Sequence, residues 1–168
     1  VWAGGWKPTH GGTDGARQIA AQVAGAYHLD EGAQIVDVRP VANADAGQDV
    51  GLIAVYDPAY TSGFRTMRPT GTLTYKMCGT GANCAIGEGT ASEARGTLLR
   101  REALELALLS FHFLHDVDHV VVLLPPKLGE TASFALFFER SDMHQELHVP
   151  LRQTLPAPAP TPEAAPPL

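Results

Sequence analysis

Residues 101 to 126, REALELALLSFHFLHDVDHVVVLLPP, decide the fold. In the first part Ala103, Leu106, Ala107, Ser110, Phe113 and Leu114, joined upstream by Leu99, recur at three- and four-residue spacing. That is the period of an amphipathic helix. Leu104, Leu108 and Phe111 widen the apolar belt, so the helix is expected to be buried on more than one side, with Arg101 and Glu105 able to pair at i, i+4. The second part, DHVVVLLPP, is a nearly continuous apolar run, the pattern of a strand covered on both faces. It is expected in the middle of a sheet.

Working outward, Thr90 and Glu93 form a capping box that predicts a helix over 90–114. Upstream of it Leu73, Tyr75 and Met77 alternate with Thr72, Thr74 and Lys76, a half-buried strand. AQIVDVRPV (33–41) and GLIAVYD (51–57) read as two more strands around a polar turn, with Pro40 placing the first at an edge or a strand end. Residues 57–71 read as a loop. DGARQIAAQVAGAY (14–27) spaces Ile19, Ala20, Val23, Ala24 and Tyr27 as a short helix with Asp14 at its N-cap. Downstream, residues 125–131 suit a hairpin into a strand at SFALFFER (133–140), and Ser141 with Asp142 opens a short helix that Pro150 ends. Without regular βα alternation, this order predicts an α+β fold. The expectation is a single domain, with a mainly antiparallel sheet of about five strands, one long buried helix, a shorter N-terminal helix and a short C-terminal helix.

At 168 residues the chain suits one domain with tails: a lead at 1–13, a globular part at 14–155 and a Pro/Ala-rich extended tail at 156–168. Eighteen acidic against twelve basic residues give a net charge of −6, without a Lys/Arg cluster beyond Arg100 and Arg101. That balance argues against nucleic acid as a partner. Charged residues are only 18% of the chain, so a surface reserved for a protein is one way to need so few. The opening VWAGGWK sets Trp2, Trp6 and Lys7 in a glycine-spaced cluster, the mixture found where a chain leaves a bilayer. The alternative is that both indoles pack on the domain. Because the chain opens on Val1, any signal peptide or anchor is expected before it.

Both cysteines lie in MCGTGANCAIGEGTASE (77–93), a glycine-rich stretch between a strand and the long helix. A helix N-terminus after glycines can hold phosphate. Here Cys84 stands where the dinucleotide fingerprint needs its third glycine, and Glu88 stands in GEGT where a Walker loop needs Lys. A structural metal site needs more ligands than one Cys pair. A disulfide between Cys78 and Cys84 needs only that the backbones approach, which the glycines allow, and closing so short a loop contributes roughly 2 kcal/mol.

HFLHDVDH collects His112, His115, Asp116 and His119, with Asp118, as candidate ligands for Zn, Ni or Cu. The cluster is similar to the H-x-H-x-D-H signature of the metallo-β-lactamase superfamily, but it departs by one residue in spacing and sits between a helix and a strand. Histidine near a helix C-terminus also interacts with the dipole without any metal. No G-x-S-x-G occurs, and Ser62, Ser92, Ser110, Ser133 and Ser141 read as loop, cap, helix face, strand and cap. Asp57 and Glu139, near strand ends, are candidates for an acid pair. The helix entering the V-D-x-V strand resembles GerMN-type modules of sporulation and germination proteins between Arg101 and Leu124, on a generic apolar pattern that assigns no family.

Together these features point to a non-catalytic, extracytoplasmic interaction or assembly domain of a membrane-anchored, bacterial-type envelope protein, carrying no cofactor. Its partner would be another protein or a second copy, reached in part through the Pro-rich tail. Membrane contact would come through a segment before Val1. The alternative function is a small metal-binding protein or metal-dependent enzyme built on His112, His115, Asp116 and His119.

Overall fold

The computed structural model describes residues 2–29, 33–41, 51–87, 92–130, 134–157 and 159. Its elements run α1 (Gly12–Ala24), β1 (Asp37–Val41), β2 (Ile53–Tyr56), β3 (Phe64–Met67), β4 (Thr72–Cys78), α2 (Glu93–Phe113), β5 (His119–Leu123), β6 (Ala135–Glu139), α3 (His144–His148) and α4 (Leu151–Thr154). The fold is α+β, as the order of elements predicts, but its strands divide into a four-stranded sheet ordered β1-β4-β5-β6 and a separate β2–β3 pair.

β1 pairs antiparallel with β4, and β6 antiparallel with β5, whereas β4 and β5 run parallel. The sheet is therefore mixed. The parallel pair follows from α2, because a 21-residue helix between two neighbouring strands carries the chain back along the sheet as a crossover. β5 is an inner strand, and Pro40 lies in β1 at the edge, where a missing N–H costs no ladder bond.

The helices cover one face of the sheet. Val38, Tyr75, Met77, Val120 and Val122 point into the core from the strands, against Ile19 and Val23 of α1 and Leu98, Leu106 and Phe111 of α2. Small residues let α1 come close: a Cβ on Gly15 would lie 2.4 Å from the His10 carbonyl oxygen and 2.9 Å from Leu114 Cδ2. The buried hydroxyls of Tyr75 and Ser110 lie 2.8 Å apart, so strand and helix satisfy each other's polar groups inside the core.

Local starts and stops differ from the sequence reading. α1 begins three residues earlier, with Gly11 at its N-cap, and Asp14 sits in its first turn, 2.7 Å from Arg17, instead of capping it. α2 is capped by Ser92, whose Oγ accepts from the Arg95 N–H at 3.1 Å; Thr90 lies outside the described residues. Most of the tail from 156 onward also lies outside them. At the other end of α2 no glycine offers a left-handed cap, and Leu114 is extended. The guanidinium of Arg140 takes that role from β6's end, donating to the carbonyls of Phe111, Leu114 and Val117.

The stretch 57–71, read as loop, contains β3. Asp57 and Gly63 close the hairpin through an N–H to carbonyl bond of 2.9 Å, and the Asp57 carboxylate accepts from the Ala59 N–H at 3.0 Å. Gly63, at φ +72°, supplies the left-handed turn residue. In FRTM the half-buried positions are Arg65 and Met67, while Phe64 and Thr66 are exposed. An arginine facing inward hides the alternation by which strands are recognised.

Candidate functional site

Cys78 and Cys84 are bonded, their Cα atoms 4.2 Å apart. The turn between them is shaped by its own backbone: the Gly79 N–H donates to the Cys84 carbonyl at 2.9 Å and the Gly81 N–H to the Ala85 carbonyl at 2.8 Å. The glycines are there for space. A Cβ on Gly79 would sit 2.3 Å from the Ala85 carbonyl oxygen, and one on Gly81 2.9 Å from it. Gly79→Ala is accordingly expected to cost about 2 kcal/mol, through displacement of backbone that cannot yield cheaply. Thermal unfolding of the bridged protein checks it; an unchanged midpoint would mean that the turn adapts.

Beside the bridge lies a cleft of about 510 Å³, walled by residues 33–37 and Arg39 on one side and the turn 78–81 with Cys84 on the other. Arg39 Nη2 donates to Cys78 Sγ at 3.3 Å. A smaller apolar cleft of about 270 Å³ opens at the start of α2, between Ile86, Leu99, Pro126 and Leu128. Glu93 occupies the first turn of that helix, which disfavours an anion there.

The histidines of HFLHDVDH are not brought together. The ring of His112, in the last turn of α2, stacks on Trp2 with centroids 4.0 Å apart, and burial followed by the nearby His115 holds its basicity below the usual histidine value. His115 and Asp116 are exposed in the following turn. His119 faces the sheet surface away from the helices, its Nε2 3.8 Å from Glu139 and its ring stacked on Phe137. Among the described residues no three His, Cys, Asp or Glu side chains converge on a metal position. The physical reason is that the segment turns from helix to strand between His112 and His119, which sends the rings to different surfaces.

Asp57 and Glu139 do meet, but around a cation. Arg65 forms an ion pair with Glu139 and lies 3.5 Å from Asp57, with its guanidinium carbon 5.6 Å from the Phe137 ring centroid. Two carboxylates sharing an arginine make a tether between the β2–β3 hairpin and the end of β6.

Trp2 and Trp6 are half-buried, both edge-on to Phe113, and the Trp2 carbonyl accepts from the Leu151 N–H at 2.9 Å. The lead before α1 thus folds back over the end of α2, with Lys7 exposed beside it.

The feature that sequence reading missed is on the hairpin's outer face. Tyr56 is 71% exposed and Phe64 52%, their rings edge to face at 5.8 Å, with Tyr60 at the tip and Leu52 at the entry also exposed. The strand around IAVY was legible from its β-branched residues, but the alternation that exposes Tyr56 and the partner strand at Phe64–Met67 were not. The hairpin thus holds a cluster of large apolar side chains at a solvent-facing surface, with Arg65 tethering its inner side to Glu139.

The chain matches no family model, and neither the search of curated proteins nor that of solved structures finds a similar protein.

Proposed function

We propose that this domain is a non-catalytic protein-interaction module, that its contact surface is the outer face of the β2–β3 hairpin, and that it works outside the cytoplasm as part of a membrane-anchored envelope protein or a secreted one. The exposed Tyr56–Phe64 pair carries the reading: large apolar rings clustered at a solvent face are the side chains that dominate binding energy when a partner covers them. The Cys78–Cys84 bridge supports an oxidising compartment. No helix among the described residues is long and apolar enough to cross a membrane. The root of the Pro-rich tail is held by Arg101, which donates to the Pro156 carbonyl, and the tail is a second element of the proposed contact.

The double variant Tyr56→Ser, Phe64→Ser is expected to abolish association while leaving the unfolding midpoint within about 1 °C, since neither ring supports the core. Sedimentation velocity, on the purified chain and on complexes recovered after crosslinking in the producing cells, reads it. Association equal to wild type would remove the hairpin from the account. Deletion of residues 160–168, which leaves the Arg101–Pro156 contact and Ala159 in place, is expected to weaken association with no change in midpoint.

A further inference from the structure

Cys78 is buried at the end of β4, 7% exposed, whereas Cys84 is half-buried in the turn, and both residues line the 510 Å³ cleft. Asn83 and Cys84, at φ +56° and +64°, are consecutive non-glycine residues in the left-handed region. Such conformations persist where the surroundings enforce them, and they gather at functional sites. The enforcing contacts here are the Gly79 and Gly81 backbone bonds and the buried Ala85, all of which would survive loss of the S–S bond. An opened turn would therefore keep its two sulfurs within reach of each other. The Arg39 guanidinium already donates to Cys78 Sγ, where it would stabilise a thiolate.

From these observations we infer that the bridge is a thiol–disulfide exchange site whose substrate is a cysteinyl thiol entering the cleft, with Cys84 the sulfur attacked and Cys78 the sulfur released. The incoming thiolate bonds to Cys84 Sγ. The S–S bond breaks, and its electron pair leaves on Cys78 as a thiolate paired with Arg39. A second substrate thiolate then attacks the substrate sulfur of the mixed disulfide and releases Cys84 as thiolate. The substrate pair is oxidised to a disulfide, and this protein takes up two electrons and, from solvent, two protons. Asp37, opposite Cys78 in the β1–β4 register and also lining the cleft, opposes the thiolate. The exchange is a single stoichiometric step that leaves this protein reduced, compatible with a non-catalytic domain; it uses the bridge and the cleft alone, so it stands or falls separately from the hairpin surface.

The test exposes the native folded chain to reduced glutathione, quenches with acid, alkylates free thiols and maps the adducts. Glutathione is expected on Cys84 with Cys78 alkylated. Arg39→Gln should slow opening about tenfold, Arg39→Lys should stay within about threefold of wild type, and Asp37→Asn should speed it. All three lie on an exposed part of an edge strand and should keep the wild-type circular dichroism. A cysteine-bearing extended peptide reacting faster than glutathione at equal thiolate concentration would identify protein thiols as the substrate, and equal rates a small thiol. Adducts on Cys78, opening rates indifferent to both charge changes, or opening that follows global unfolding in urea would each overturn the inference.

Discussion

Arg140→Ala is expected to destabilise the fold by about 3 kcal/mol, since hydrogen bonds to a charged group contribute about 1.5–3 kcal/mol each and their contributions overlap when they share one guanidinium. The last turn of any helix leaves carbonyls without partners, and a cation there also meets the negative end of the helix dipole. α2 ends at Phe113 without a glycine, and Arg140 serves three carbonyls there: Nη2 is 2.8 Å from the Leu114 carbonyl oxygen, which also accepts from the Val117 N–H at 3.1 Å, Nε is 2.9 Å from that of Val117, and Nη1 reaches that of Phe111. Its guanidinium carbon lies 5.3 Å from the Phe111 ring centroid, so the side chain also locks the helix end to the strand that follows. Arg140→Lys, which keeps the charge but loses the planar fork, should recover less than half of the loss. Urea denaturation at neutral pH measures both. A loss under about 1 kcal/mol for Arg140→Ala would mean that water or other groups serve these carbonyls equally well.

Glu102→Met should have the opposite sign, stabilising the protein by about 2–3 kcal/mol at pH 7, because an unpartnered buried polar group costs about 1–3 kcal/mol and ionisation adds to it. Glu102 is fully buried in α2, and neither carboxylate oxygen has a hydrogen-bond partner among the described residues. Burial, reinforced by the neighbouring Glu105, pushes its carboxyl well above the usual carboxylate range. The direction with pH follows. In the unfolded chain Glu102 ionises at about pH 4.3, while in the fold it keeps its proton to higher pH. Between those two values the folded state holds the extra proton, so stability falls as pH rises, at up to about 1.4 kcal/mol per pH unit from this site. The advantage of Glu102→Met should therefore grow from about pH 4 towards neutrality. Glu102→Gln should show the same flattened pH profile with a smaller gain. A Met variant no more stable than wild type at pH 7 would show that the carboxyl has a partner that offsets its burial.

These two residues mark where sequence reading reached and where it stopped. The long helix, the inner position of VVVL, the edge position of Pro40 and the Cys78–Cys84 bridge all follow from period, proline chemistry and loop length, which are local properties. The parallel β4–β5 pair was legible in principle from the length of the helix between the strands. Glu102 was not. REALE reads as a charged helix surface with an Arg101–Glu105 pair, yet Glu105 accepts from the Tyr27 hydroxyl at 2.8 Å and Glu102 is inside. Arg140 and Arg65 were missed for a related reason: each charge answers to groups distant in the chain, the end of α2 in one case and Glu139 in the other. For the candidate sites the same rule held. Adjacency in HFLHDVDH did not survive the turn from helix to strand, while Asp57 and Glu139, far apart in sequence, meet at one arginine.

The most direct test of the interaction reading places a photo-crosslinking benzophenone side chain at Phe64, and in parallel at the exposed Gln22 on the far helix α1, in the cells that make the protein. Irradiation is expected to give one discrete adduct from position 64 and none from position 22. An adduct of twice the chain's mass would define self-assembly, and any other single mass a distinct partner. No adduct at 64, or the same products from both positions, would contradict the assignment of the hairpin face as the surface through which this domain acts.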